Sequence, residues 1–388
     1  MSATLFFFFS SFAILNVYLP IFFRNMGYSP TVIGFLMSLL EIAGIVFTFV
    51  FCKFPQKSGK YGFWLIIISL LLIILPIPML NFGFLMSALS IIVYAIPSKT
   101  AVPISDSYVN ILLGKNTDKY GMVRVFGSLG FIIASLVLQF FIKPENLTQM
   151  QCSFLMMIPG VLMLVTLFIT PKLLEPVEVP VIPQVKDTSE KSKSFFKQFS
   201  PTFWLFLMVL TFGNIGNAGP YKFFSLYVDE FLKSDVYGFL WSLSAICEIP
   251  TLFFSFLFIR KYGSKKLILF CVAMISVRNF VYVLFPSVTG AAIGQMFHCF
   301  TFGLLHPSTV IFIGQEVIGS KQVTAQALSS VGSAGVASVF GSFLGGIIID
   351  HIGYPSLYTI FGIIPLVGLV LYFCLRKKVK ILHTFSYN

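Results

Sequence analysis

The chain has 388 residues, of which 57% are hydrophobic, 10% are charged and 47 are Phe. Water-soluble domains carry about 25% charged residues, so this composition, with a mean hydropathy of +0.92, places the protein in a lipid bilayer. It excludes a soluble enzyme, a nucleic-acid binder and a secreted disulfide scaffold, and the net charge of +12 needs no polyanion, because inner loops of membrane proteins collect Lys and Arg.

Apolar runs bounded by Pro, Gly and charge predict twelve spans, at 4–23, 30–52, 61–80, 83–113, 120–142, 150–170, 202–227, 236–259, 264–285, 287–314, 324–349 and 354–375. Each approaches or exceeds the roughly 20 apolar residues that cross a bilayer, so the expected fold is all-α and integral to the membrane. The first run lacks a basic segment before it and a small-residue cleavage site after it, and reads as a retained helix. With the N-terminus inside, 20 of the 26 Lys and Arg fall in inner segments, while Arg24, Lys143 and Lys233 lie outside and Lys99, Lys222 and Arg278 lie within spans. That bias predicts a multi-pass protein of the cell inner (plasma) membrane with both termini cytoplasmic. Cys52, Cys152, Cys247, Cys271, Cys299 and Cys374 show no Cys-x-x-Cys spacing, so free thiols are expected, with no metal site and no cofactor.

The stretch 171–201 carries Pro171, Pro176, Pro180 and Pro183 among Lys, Glu and Ser. It reads as a cytoplasmic linker between a six-helix bundle at 1–170 and a second at 202–388 that ends in a short basic tail. The halves echo each other. Gly34-Phe-Leu-Met-Ser-Leu39 opens the second span and Gly238-Phe-Leu-Trp-Ser-Leu243 the eighth, an acid follows each at Glu41 and Glu248, and a Tyr-Gly turn closes each at Tyr61-Gly62 and Tyr262-Gly263. Two parallel six-helix repeats are the pattern of a transporter whose halves rock about a central site.

Further motifs sharpen this. Tyr120-Gly-Met-Val-Arg124-Val-Phe-Gly127-Ser128 opens the fifth span, Ser276-Val-Arg278 lies in the ninth, and Gln295-Met-Phe-His298-Cys-Phe-Thr301 lies in the tenth. With the acids of the second and eighth spans, the whole chain resembles the major facilitator superfamily, in the proton-coupled branch that includes lactose permease and the phenylpropionate permeases. The helix 8 spacing is closer to the phenylpropionate permeases. The resemblance implies two pseudo-symmetric six-helix bundles, a small-molecule solute and protons as partners, and a working monomer. It also matches Asp106 and Arg124 to the acid and arginine that grip the sugar in lactose permease, with Phe131 at its stacking aromatic. Two positions depart from the pattern: the turn 51–60 keeps its basic charge but has no acid, and Thr301 stands where the lactose permease proton carrier is a Glu.

An ionised side chain at mid-bilayer costs at least about 2.5 to 3.5 kcal/mol, so each should face a partner or a wet cavity. At about 1.5 Å per residue, Glu41, Glu248, Arg278 and His298 fall about 15 to 21 Å into their spans. They form a candidate proton relay, or else internal ion pairs that orient helices. Asp106 and Arg124 lie nearer the inner surface, as a solute grip or a salt bridge closing that side. Lys99 and Asp106, seven residues apart, share one face of a regular helix, and Lys99 is a candidate carboxylate clamp. Lys222 is near enough to the outer surface to snorkel. Asn214, Asn217 and Trp241 are candidate solute contacts or inter-helix bonds, and Tyr221 could line the same pocket. Paired nucleophile, base or metal motifs of an enzyme are missing.

The sequence therefore predicts a secondary active transporter, a proton-coupled symporter of an aromatic or other organic acid, a sugar or a nucleoside, working by alternating access. A proton-driven efflux antiporter is the alternative within transport, and a non-transporting sensor or scaffold is the alternative outside it.

Overall fold

The computed structural model describes residues 1–114, 120–143, 147–177, 198–317 and 321–385. Ten separate helices are long and apolar enough to cross a membrane among the described residues: α1 Ser2–Asn25, α2 Pro30–Ser58, α3 Tyr61–Asn81, α4 Gly83–Leu113, α5 Val123–Ile142, α6 Gln149–Ile169, α7 Pro201–Phe231, α8 Tyr237–Tyr262, α9 Ser264–Leu284 and α10 Val288–Glu316. An eleventh stretch, Thr324–Arg376, is broken at Gly353, whose φ of 83° and ψ of 173° are not helical and suit a residue without Cβ. It therefore holds two helices, α11 up to the break and α12 after it, which makes twelve helical stretches among the described residues at the places of the twelve expected spans.

Local chemistry sets several of the ends. Ser29 is extended and its hydroxyl accepts the Val32 N–H at 3.5 Å, with Pro30 in the first turn of α2. Thr148 and Gln151 cap α6 reciprocally, through Gln151 N–H to Thr148 Oγ1 at 3.4 Å and Thr148 N–H to Gln151 Oε1 at 2.9 Å. The helices α2 and α8 outrun the predicted 30–52 and 236–259, reaching Ser58 and Tyr262, because basic residues at the membrane surface carry a helix outward as long as their stems reach water. Most of the predicted linker falls on 178–197, which lie outside the described residues.

Regular α-helix gives way to wider π-turns at Ile14–Tyr18 in α1, Ile96–Thr100 in α4, Leu138–Ile142 in α5, Tyr227–Phe231 in α7, Cys299–Leu304 in α10 and Leu328–Gly335 in α11. Such turns are rare and recur at functional sites. Large apolar side chains such as Phe141, Ile169 and Phe253 are exposed, as expected for surface that faces lipid tails. All six cysteines are free.

Packing divides the chain into two units. The first comprises Met1–Pro180, Lys222–Ala245 and Ser342–His351, and the second Val181–Tyr221, Ile246–Gly341 and Ile352–Asn388. This partition follows packing, whereas the expected bundles at 1–170 and 202–388 follow chain order.

In the first unit, α1 runs through the interior and packs on α5 and α6. Gly130 of α5 sits so close to α1 that a Cβ there would meet the Phe6 carbonyl oxygen. The helix ends expected to face outward are knitted together. Arg24 pairs with Asp229, Gln139 Oε1 accepts the Gly238 N–H at 2.7 Å while its amide donates to the Asp235 carbonyl, and Asp350 accepts the Thr31 N–H at 2.8 Å at the N-terminus of α2. Two glycines permit this approach. A Cβ on Gly34 would meet the Ser342 carbonyl oxygen, and one on Gly238 would meet the Tyr18 hydroxyl. These are the equivalent glycines of the internal repeat.

In the second unit, α9 packs on α10 around a core that includes Phe206, Ile268, Cys271, Val272, Ile275 and Phe312. Gly341 of α11 lies against Ala218 and Gly219 of α7, a small-residue seam of the kind that lets membrane helices touch.

Candidate functional site

The first unit buries one carboxylate between two ammonium groups. Glu41 sits in the middle of α2, and Lys99 of α4 donates to both its oxygens, at 2.8 Å to Oε1 and 2.7 Å to Oε2. Lys222 of α7 donates to Oε1 at 2.8 Å. Lys99 lies inside the π-turn Ile96–Thr100, so the two-turn relation that puts Lys99 and Asp106 on one face of a regular helix does not hold, and the ammonium goes to Glu41. Gly44, one turn after Glu41, gives the lysine room, since a Cβ there would run into Lys99 Cγ. Lys222 does not snorkel as expected from its depth. A fixed carboxylate within reach compensates its charge better than a stretched route to water.

The second unit holds a network around Arg278 of α9, which is 4% exposed. Its Nε donates to the Tyr282 hydroxyl at 3.0 Å, and Nη1 reaches His298 Nδ1 and Thr301 Oγ1, each at 3.2 Å. Nη2 donates to Gln295 Oε1 at 2.7 Å. Gln295, His298 and Thr301, spaced by three on α10, offer one face to the guanidinium. His298 Nε2 lies 3.4 Å from Glu248 Oε2 of α8, so the acid reaches the histidine, and His298 stands between it and Arg278. The His298 ring also stacks on Tyr221 at 6.5 Å and on Phe302 at 5.6 Å between centroids.

The arrangement satisfies a buried guanidinium with neutral acceptors, which a charge at this depth requires. Because Nδ1 accepts from Arg278, the imidazole hydrogen belongs on Nε2, directed at Glu248. Sequence reasoning found Glu248, Arg278 and His298 but passed over Gln295, Tyr282 and Thr301 as partners. Their spacing, three along α10 and four between Arg278 and Tyr282, was the signal.

The remaining candidates are distributed more widely. Arg124 lies over the Phe9 ring, 4.0 Å from its centroid. Asp106 and Phe131 are half-buried. Asn214 donates to Ser333 Oγ at 2.8 Å, tying α7 to the π-turn of α11, and Asn217 is half-buried. Trp241 is buried, with its indole N–H on Ser225 Oγ at 3.0 Å and its ring edge-on to Phe224. Among the described residues no group of three His, Cys, Asp or Glu could hold a metal ion.

Comparison with known proteins agrees with this architecture. The model of the MFS_1 like family matches residues 1–360. Over 369 residues, covering 90% of this chain and 87% of the relative, the chain is 25% identical to the lactose permease of Klebsiella oxytoca. Over 383 residues, 96% of this chain and 95% of the relative, it is 23% identical to a protein of Escherichia coli (strain K12) described as a probable 3-phenylpropionic acid transporter. Among solved structures, a mutant of the nucleoside transporter NupG superposes with a TM-score of 0.80 at 15% identity, covering 96% of this chain and 98% of that one.

Proposed function

Because the chain belongs to the MFS_1 like family, and with it to the secondary transporters of the major facilitator superfamily, we propose that it is a proton-coupled symporter that imports a small organic solute by alternating access. The observation that carries this reading is the Glu248, His298 and Arg278 cluster. A proton arriving at His298 Nδ1 would have to expel the Arg278 N–H that this nitrogen accepts, which supports the Glu248 carboxylate as the proposed proton acceptor. Loading Glu248 discharges the acid beside a permanently charged guanidinium, and movement of the helices that carry them supplies the step that releases the proton.

Glu41, held by two lysines, is the second candidate carrier. The solute is an aromatic or other organic acid, a sugar or a nucleoside: Lys99, Arg124 and Arg278 suit a carboxylate, while the mixture with Asp106, Asn217 and Phe131 suits a polyol. The inner bias of Lys and Arg supports both termini in the cytoplasm, in the cell inner membrane, and the monomer is the proposed working form.

Glu248→Gln keeps shape and hydrogen bonding but cannot release a proton. In proteoliposomes it should exchange internal for external solute and fail to accumulate solute under an inward proton gradient. Accumulation by Glu248→Gln would move the assignment to Glu41 or His298. Efflux driven by the same gradient in the unaltered protein would establish the antiporter instead.

A further inference from the structure

The Glu41 site has an unbalanced charge. Its one carboxylate faces two ammonium groups that both donate to the same oxygen, Oε1, at 2.8 Å, so the lysine nitrogens lie no more than about twice a hydrogen-bond length apart. Neither lysine has a second carboxylate among the described residues, and the cluster carries a net charge of +1. A membrane interior penalises an uncompensated charge, and two like charges this close repel one another through a poorly screening medium.

The site is also enclosed unevenly. The Glu41 and Lys222 side chains are 7% and 11% exposed, but Lys99 is 29% exposed, and Gly44 leaves its stem lying flat along α2. Lys99 is therefore the less enclosed of the two lysines.

From this we infer that Lys99 and Lys222 form an anion subsite, and that the transported solute carries a carboxylate or a comparable single negative charge that completes it. The inference rests on the transport reading above and narrows its solute class. Glu41 acts as the resident counterion: it holds the two lysines together while the site is empty and shares them with the anion when it binds. An anion beside Lys99 brings the cluster to neutrality, which a sugar or a nucleoside cannot do. The planar carboxylate can accept from both ammonium groups, as the Glu41 carboxylate already does. Selectivity then comes from what the site loses with a neutral analogue, because an amide in the same place leaves the excess charge uncompensated.

The test is solute counterflow in proteoliposomes at equal pH on both sides, which needs no proton gradient and so stays readable if the coupling reading is wrong. The probes are 3-phenylpropionate and lactate against 3-phenylpropionamide and lactamide, with lactose and uridine as neutral solutes. Expected is exchange confined to carboxylates, at least tenfold faster than their amides, and a tenfold or greater loss of that preference in Lys99→Gln and in Lys222→Gln. Either substitution leaves Glu41 with one lysine in a neutral pair, so both variants should fold, which size-exclusion elution and thermal unfolding check. The double variant Glu41→Gln/Lys222→Gln keeps the net charge at +1 on Lys99 and should keep a carboxylate preference, which an ion network with a purely architectural role does not predict.

Absence of a preference for carboxylates over amides, exchange of lactose or uridine at the carboxylate rate, or an unchanged preference in both single lysine variants would overturn the proposal. Intact carboxylate counterflow without accumulation under a proton gradient would leave it standing and count against proton coupling alone.

Discussion

Replacing Gly34 or Gly238 by Ala should shift the conformational balance of the transporter away from the arrangement described here. A Cβ on Gly34 would meet the Ser342 carbonyl oxygen and lie 3.2 Å from Phe223 Cζ and 3.3 Å from Gly346 Cα. One on Gly238 would meet the Tyr18 hydroxyl and lie 2.9 Å from Gln139 Oε1 and from the Ser135 carbonyl. Backbone carbonyls cannot swing aside like a flexible side-chain end, so the helices themselves must separate. Overpacking of this kind costs about 1 to 3 kcal/mol per site. If only the state with these ends packed bears that cost, its population relative to the open state falls by a factor of about 5 to 150. The two sites are on different helix pairs and should add. Spin labels at Asn25→Cys, the exposed last residue of α1, and at Lys233→Cys, in the exposed turn after α7 beside the Arg24 and Asp229 pair, would report the separation by pulsed dipolar spectroscopy. Each alanine should populate a longer distance, and both together should make it dominant. An unchanged distance distribution in folded Gly34→Ala/Gly238→Ala would refute the reasoning.

Two further substitutions separate architecture from solute contact. Trp241→Phe removes the indole N–H bonded to Ser225 and keeps an aromatic ring, so the protein should lose about 0.5 to 1.5 kcal/mol of stability. That loss would appear as a lower thermal unfolding midpoint with solute counterflow unchanged, and a loss of solute affinity without a loss of stability would place Trp241 at the solute. Arg278→Lys keeps the charge but cannot reach Tyr282, His298, Thr301 and Gln295 together. It should slow proton-driven accumulation more than counterflow, and an equal loss of both would argue that Arg278 holds the fold.

Gly34 and Gly238 show what the sequence makes legible. The repeat that contains them could be read directly, because a membrane helix must advertise its length in hydropathy and a duplicated unit keeps its small residues in register. That the same glycines close the helix ends expected to face outward was not legible, since it depends on which helices meet. The split at Gly353 falls between the spans predicted at 324–349 and 354–375, and the three-residue spacing of Gln295, His298 and Thr301 was visible but not used. Lys222 was misjudged because depth along one helix says nothing of a carboxylate on another. The shared face of Lys99 and Asp106 failed for a different reason: a π-turn is a change of hydrogen-bond partner, and Ile96-Pro97-Ser98-Lys99-Thr100 has no residue pattern that distinguishes it from a kinked α-turn. The Phe9 ring under Arg124 was likewise not legible, because it lies on another helix.

The wide turn at Ile96–Thr100 works as a spare residue stored in α4. A regular helix advances about 100° per residue, so absorbing that residue into ordinary α geometry would turn everything beyond it by about that angle around the helix axis, without breaking the rod or lengthening a loop. Lys99 lies within this joint and Asp106 beyond it. Re-aiming one against the other would then need one hydrogen-bond partner exchanged per carbonyl in a single turn, a small rearrangement for a large change in which charges face each other. A one-residue deletion within Ile96–Thr100 would freeze that rotation permanently, and it would do so in a chain whose every other span was untouched.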